Sequence, residues 1–280
     1  MKLPIYLIVF FFVVQPVVRD DYNRDLSLSS MPQRIVSIAP SITELVFAIG
    51  AGEKLVGVDS ESNFPEQARS IEKVGTYISP SLEMIIALKP DLLLVSDLTP
   101  QQVIDTIENR GIKVFAVAPK SIDGVAESMR KLGIVLGTDD EAERAAESFE
   151  QRVSAVERKT ALAKEKPRVY LEYFPYWTFG PGSFGNDLIT RAGGINIGKR
   201  LKSPYAEVSD EFVVSENPDV IIITEGKHST TTISSVRERQ GWKDIDAVKS
   251  NRVYYIDDDL VSRPGPRTAD ALEELYSILH

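Results

Sequence analysis

The sequence predicts an α/β protein: two Rossmann-like parallel-sheet lobes joined by one long helix, with a ligand cleft between the lobes. Three observations carry this. Short β-branched runs alternate with helical patterns on both sides of the middle of the chain. The stretch "SLEMIIALKPDLLLVS" (Ser81–Ser96) returns as "SDEFVVSENPDVIIIT" (Ser209–Thr224), with Ser-x-Glu, an apolar triplet, Pro-Asp and a buried run in the same order. Between them, from Ser121 to Lys166, there is no strand signal, only apolar residues at helical spacing. A chain of 280 residues accommodates two domains of ordinary size, and 43% hydrophobic content supplies their cores.

The elements follow in order. "RIVSI" (Arg34–Ile38) is a strand. Ser41 and Glu44 form an S-x-x-E capping box for a helix over Ile42–Ile49, closed by Gly50. "LVGV" (Leu55–Val58) is the next strand. "PSLEMIIAL" opens a helix that Pro90 stops, and "DLLLVS" is a strand without polar alternation, as in a parallel sheet. "TPQQVIDTIENRG" is a helix and "KVFAV" a strand. Gly137-Thr138-Asp139 reads as a helix stop and a new N-cap. The charged segment after it, about 25 residues and about 38 Å long, reads as an exposed helix ended by Pro167. Alternation then resumes: strand "RVYLEYF", helix "GNDLITRAGG", helix start "VSDEFVVSE", strand "DVIIIT", helix "ISSVRERQGW", strand "RVYYID" and helix "ADALEELYSIL".

This divides the chain into residues 1–30, an N-terminal lobe over 31–120, a connecting helical segment over 121–166 and a C-terminal lobe over 167–280. Leu3–Val18 is apolar except for Gln15 and follows Met1-Lys2. It reads as a secretory signal or, since no A-x-A pattern follows, as an uncleaved anchor. Either places Pro32–His280 outside the cytoplasm, periplasmic or at the cell surface, touching a membrane only through that segment or a membrane partner.

Composition narrows the function. A net charge of −9 with no Lys/Arg run argues against nucleic acid. There is no cysteine, so thiolate chemistry and a lipidated Cys are excluded. G-x-S-x-G, P-loop and H-E-x-x-H patterns are absent, which counts against a catalytic site. The two histidines are His280, the last residue, and His228 in the polar "EGKHSTTT" loop, so no direct transition-metal site is expected. Asp257–Asp259 suits either a hard cation or a solvated turn. An α/β enzyme on a nucleotide-like substrate would want a Gly-rich strand-to-helix turn; "GAG" (Gly50–Gly52) follows a helix instead. A sensor or adhesion module anchored by Leu3–Val18 is a further alternative.

Loops at the strand ends are aromatic, with Phe64, Tyr77, Trp177 and Tyr205 among them. Tyr77 and Tyr205 each stand six residues before a repeated glutamate, Glu83 and Glu211, so the lobes would offer one ring each from opposite walls. The glutamates have two readings. An acid in a first helical turn complements the helix dipole, and two exposed carboxylates at matched lobe tips suit docking onto two equivalent basic sites.

The stretches "RIVSIAPSITELVFAIGAGEKLVGV", "EKVGTYISPSLEMIIALKPDLLL", "AGGINI" and "SRPGPR" resemble the substrate-binding proteins of ABC importers for vitamin B12, iron–siderophores and haem, the class with a rigid helix between its lobes. The similarity covers nearly all of Arg34–His280 and is strongest toward the vitamin-B12 branch. It implies a transport receptor without catalysis or resident cofactor, whose partners are a small-molecule ligand and a permease dimer with its ATPase subunits. Glu83 and Glu211 stand where the family docks onto permease arginines. Tyr77 and Tyr205 stand where cleft aromatics hold a corrinoid, with Tyr in place of the Trp usual in that branch. Ligand contact is also implied for the Ser60–Phe64 loop, where Glu61 replaces an aromatic, and for Asp259 and Arg263. The ligand implied is a corrinoid, with an iron–siderophore or haem as alternatives.

Overall fold

The structure, a computed structural model, describes residues 17–227 and 229–280. Most of the proposed signal or anchor segment, and His228, lie outside the described residues. Among those described, no helix is long and apolar enough to cross a membrane.

The N-terminal sheet is fully parallel, with Leu55–Val58, Ile35–Ser37, Leu92–Val95 and Lys113–Ala116 side by side in that order. Its outer edge is covered by a segment that the sequence alone places before the lobe. Val18–Arg19 pairs with Asp25–Leu26 as a small hairpin. At its turn, buried Asp20 accepts the backbone N–H of Ala116, and Asp21 accepts that of Ala118 at 2.6 Å. Residues 18–26 are therefore part of the lobe, and they occupy a sheet edge that would otherwise be open.

The C-terminal sheet departs from the expected all-parallel form. Arg168–Phe174, Val220–Glu225 and Val253–Asp257 run parallel as predicted. Ile195–Asn196 adds a short parallel strand. Trp177–Phe179 then folds back antiparallel on Arg168–Phe174, and Tyr205–Glu207 pairs antiparallel with Trp177–Phe179. These two strands lie in Pro- and Gly-rich stretches and are three residues long, so they present no periodicity to detect.

The repeated sentence is a mechanical unit. In each lobe a serine caps the helix: Ser81 Oγ accepts the Met84 N–H and Ser209 Oγ that of Phe212, both at 3.3 Å. The helices are Leu82–Ala87 and Asp210–Glu216. An arginine at the start of each lobe's first strand clips the far end: Arg34 donates to Leu88 O at 2.6 Å, and Arg168 to Glu216 O at 2.6 Å. The Asp of Pro-Asp closes the unit, because Asp91 accepts the Arg34 N–H at 3.1 Å and Asp219 the Arg168 N–H at 2.7 Å.

The connecting segment holds two helices, split at Gly137 as the sequence predicts, and the longer joins the lobes. Ile122–Leu136 ends at Gly137 in the left-handed region (φ 69°), and the 24-residue helix Asp139–Leu162 runs back along it. Thr138 occupies the cap position without a side-chain cap bond, and the helix ends before Pro167. Its stripe Ala142, Ala146, Phe149, Val153 and Val156 is buried, so it is amphipathic and half-embedded. Ion pairs fasten it to the C-terminal lobe: Arg152 to Asp270 and Glu273 at 2.5 and 2.7 Å, and Glu157 to Arg191 at 2.8 Å.

Before each proline of the repeat the backbone turns left-handed, at Lys89 (φ 49°) and Asn217 (φ 41°). Asn tolerates this region and Lys does not, the penalty being of order 1 kcal/mol. Lys89→Asn should therefore stabilise the protein and raise its calorimetric melting temperature by about 1–3 °C, whereas Asn217→Lys should lower it. Equal midpoints for both would show that neither turn carries strain.

Candidate functional site

The carboxyl ends of the strands in both lobes face one another, and the loops there meet. The closest meeting is ionic. From its sequence context Glu44 should cap its own helix. The helix instead starts at Pro40, with Ala39 at the cap position and no side-chain cap bond. Proline at the first position fixes the start early and leaves Glu44 on the second turn, beyond reach of the cap. Its carboxylate crosses to the C-terminal lobe and accepts from Arg267 at 2.7 and 2.9 Å and from Arg263 at 3.3 Å. The side chains of Glu44, Arg267 and Arg263 are 1%, 15% and 10% exposed. A pair this buried is unlike a surface salt bridge worth about 0–1 kcal/mol; removing Glu44 would take from Arg267 its nearest carboxylate, leaving it Asp259 at 3.7 Å, while Arg263 keeps Asp259 at 2.6 Å.

Four of the predicted site residues gather around this clamp. Arg263 donates to Asn63 Oδ1 at 2.7 Å and to the Glu61 carbonyl at 3.2 Å, and it pairs with Asp259 at 2.6 Å. The Glu61 carboxylate accepts from Lys227, across the cleft, at 2.6 Å. The Phe64 ring carries the Arg267 guanidinium 4.5 Å from its centroid. So Glu61, Phe64, Asp259 and Arg263 are brought together, engaged largely with one another. Beside them is a cavity of about 370 Å³ lined by Glu61, Asn63, Glu225, Lys227, Arg263 and the Asp257–Asp259 run.

The aspartate run is the group of described residues whose carboxylates, within 4.8 Å of one another, could hold a cation. Two of its members have structural roles: Asp257 Oδ1 caps the helix Asp258–Ser262 by accepting the Asp259 N–H, and Asp259 neutralises Arg263.

The aromatic residues form a second wall. Tyr205 is 48% exposed and stands edge-on to Tyr173 and Phe179, at 6.1 and 6.0 Å between centroids. Tyr173 and Phe179 stack at 4.7 Å beneath it. Strand pairing sets Phe179 opposite Tyr205 and Trp177 opposite Glu207, so the pleat puts Trp177 on the Tyr205 side. Phe174, another of the strand-end aromatics, is 48% exposed at the end of its strand. Burial pushes the Tyr173 phenol up to about 12, with Tyr205 adding to it. Burial also raises Tyr205, reinforced by the Asp97 charge and opposed by Lys120. Asp97 and Lys120 are an ion pair of the N-terminal lobe, so Tyr205 faces that lobe across the cleft. Tyr77 stands half-buried at the turn between Gly75–Thr76 and Ser79–Pro80, a hairpin joined to the Glu61 loop by the Ser60 N–H, which donates to the Gly75 carbonyl at 2.7 Å.

Glu83 and Glu211 occupy the same second position of their helices, both exposed. Hydrogen bonding from the Ser209 hydroxyl and then its own backbone N–H hold the Glu211 carboxyl below its usual range. Lys227, Asp97 and Lys120 gave no sequence signal. Their partners lie far along the chain, and only the fold brings them together.

A two-lobed α/β body with a cleft between strand ends defines a solute-binding receptor. The chain belongs to the periplasmic binding protein family, whose model matches residues 35–260. It is 33% identical over 277 residues to an uncharacterized ABC transporter substrate-binding lipoprotein of Bacillus subtilis, covering 95% of this chain and 86% of that one. It is 31% identical over 255 residues to a vitamin B12-binding protein of Vibrio campbellii, covering 90% and 91%. Among solved structures, the periplasmic vitamin B12 binding protein of Vibrio cholerae aligns with a TM-score of 0.78 at 27% identity, covering 89% of this chain and 96% of that one. A periplasmic heme-binding protein from Roseiflexus aligns at 0.81 and 27%, covering 89% and 99%. The chain is thus a substrate-binding protein of the kind that serves ABC transporters, and not an enzyme.

Asp59, at the root of the Glu61 loop, has no exposed surface; its carboxylate accepts from the Glu61 N–H at 2.9 Å and from Ser62. Burial raises its pKa, against the hydrogen bonds from Ser62 and Glu61 and the charges of Arg263 and Lys73. The folded state therefore holds this proton to higher pH than the unfolded chain. Its contribution to stability is most favourable below the unfolded pKa and declines as pH rises through the folded one. Asp59→Asn should remove that decline: urea unfolding at pH 4 and pH 7 should give a smaller loss on going up in pH than in the parent. An unchanged difference would mean that Asp59 ionises freely in the fold.

Proposed function

We propose that this protein captures a corrinoid outside the cytoplasm and delivers it to the membrane permease of an ABC importer. The observation carrying the ligand is the division of labour in the cleft. Arg263, Arg267, Lys227 and Lys120 are each matched with a carboxylate, while Tyr205, Phe174 and Phe64 leave about half their surfaces open. An anionic siderophore or the propionates of haem would have to compete with those carboxylates for the cations. A large neutral macrocycle with amide edges would lie on the rings and hydrogen-bond at its rim. Burial holds the Tyr205 and Tyr173 phenols protonated, which favours their use as rings and donors over phenolate ligation of iron. The likeness to vitamin B12-binding proteins over nine-tenths of the chain points the same way.

Calorimetric titration of residues 17–280 with cyanocobalamin, haemin and a ferric hydroxamate tests this, with heat expected from the first alone. Tyr205→Ala and Tyr77→Ala should each weaken cyanocobalamin binding by roughly 1–3 kcal/mol, as loss of an aromatic anchor does, with melting temperature little changed. Haemin binding in preference to cyanocobalamin would replace the corrinoid reading with the haem one.

Glu83 and Glu211 are proposed as the permease contacts. Each sits on a helix clipped at both ends, so each carboxylate is offered from a rigid mount. Permease arginines would meet them in charge-assisted, bidentate pairs. Glu83→Arg combined with Glu211→Arg should leave ligand affinity and melting temperature nearly intact and abolish uptake in a reconstituted importer, because like charges would then oppose at both contacts. Normal uptake by that variant would return the two glutamates to the helix-dipole role.

A further inference from the structure

The two copies of the repeat differ in chemistry beside the exposed glutamate. Between the capping serine and the exposed glutamate stands Leu82 in the first copy and Asp210 in the second. Leu82 packs against the core of its lobe. Asp210 accepts the indole N–H of Trp242 at 2.7 Å and also faces the Tyr176 hydroxyl directly. Trp242 has no exposed surface, and the Arg239 guanidinium lies 4.6 Å from its ring and 4.3 Å from that of Tyr176. Arg239 forks onto Glu172 at 2.6 and 2.8 Å, and Glu172 is 1% exposed. Counting from the paired Arg34 and Arg168, the N-terminal counterpart of Glu172 is Ile38, fully buried and apolar. The N-terminal lobe therefore has no ionic element at this place.

Its other end is the cleft wall. Tyr176 is the turn between Arg168–Phe174 and Trp177–Phe179 and sits at φ 65°, where a bulky residue stays only if its surroundings hold it. They do so by the stack on Arg239 and by the Val208 N–H, which donates to the Tyr176 carbonyl at 2.8 Å. Val208 immediately precedes the capping Ser209. The turn that carries Phe174 and Trp177 and the helix that carries Glu211 thus hold one buried ion pair from two sides.

We propose that Asp210 is a positioning residue that couples the Glu211 contact to the aromatic turn of the cleft wall through Trp242, Arg239 and Tyr176, a link that the Glu83 contact lacks. Its functional meaning rests on the reading of Glu211 as a permease contact; the link itself is physical and is tested without permease or ligand. Deforming either end disturbs the shared pair, so the two segments open together, as coupling is reciprocal.

Amide hydrogen exchange on the full chain decides it. Asp210→Leu, which installs the residue of the other lobe, should speed exchange at least tenfold in both 208–216 and 173–177 and leave 82–88 unchanged. Asp210→Asn, which keeps an acceptor for Trp242, should restore parental rates in both. Tyr176→Ala should reproduce the double effect from the other end. Faster exchange confined to the mutated segment in either variant overturns the proposal. Should Asp210→Leu also speed 82–88, it has unfolded the protein globally, and Tyr176→Ala then decides. Cyanocobalamin added to the parent should slow both segments together. If it binds and protects 173–177 alone, the link fails; if it does not bind, the corrinoid reading fails and the exchange rates of the variants alone decide the link.

Discussion

The fixed relation between the lobes is the constraint on which everything else depends, and it is set by apolar packing. A single buried cluster runs from Ile35 and Leu45 in one lobe, through Met129, Leu132, Phe149 and Val153 of the helical connector, to Leu188 and Leu272 in the other. Opening the lobes about this connector would expose apolar surface, at about 25 cal/mol per Å², as well as bend hydrogen-bonded helix. The Arg152 and Arg191 ion pairs, partly exposed, add geometry more than energy. The buried Glu44–Arg263–Arg267 clamp differs in kind. It sits in the cleft, binds one lobe to the other, and costs most when broken one partner at a time.

Most of the fold was legible because each half announces itself twice, by periodicity and by copy. Buried runs such as Leu92–Val95 and Val220–Glu225 have no polar face, which only a covered parallel sheet tolerates. The capping serines and the Pro-Asp steps were visible as local chemistry. Arg34 and Arg168 stand at equivalent places in the sequence, yet their role as clips could not be read, since their acceptors are carbonyls some fifty residues away. The antiparallel strands at Trp177 and Tyr205 were hidden for another reason. Their pairing is set by the Tyr176 turn, a left-handed conformation adopted by a residue that rarely takes it, and no propensity encodes that.

The site divides along the same line. Residue type drew attention to the rings in the strand-end loops, which could equally have packed those loops. Glu61, Asp259 and Arg263 came from the family resemblance, and their partners only with the fold. Glu44 shows why. Its S-x-x-E context is a valid local signal, and Pro40 one residue ahead of Ser41 overrides it by fixing where the helix begins. A glutamate released from capping in a buried position must find cations, and here they come from the other lobe.

The two lobes are copies in backbone and not in electrostatics. The first places a hydroxyl chain, Ser62, Thr43 and Ser37, behind its cleft loop at Asp59; the second places the Glu172–Arg239 pair behind its aromatic turn. A hydroxyl can reverse its hydrogen bond at little cost, so Ser62 can donate or accept as Asp59 changes state. The forked pair has one good geometry, fixed by Tyr170 and Thr231 as well. The N-terminal wall is thus built to adjust and the C-terminal wall to hold its shape. Swinging the lobes apart would unpack the apolar connector, so a ligand meets one wall that can shift its hydrogen bonds in place and one that keeps its shape.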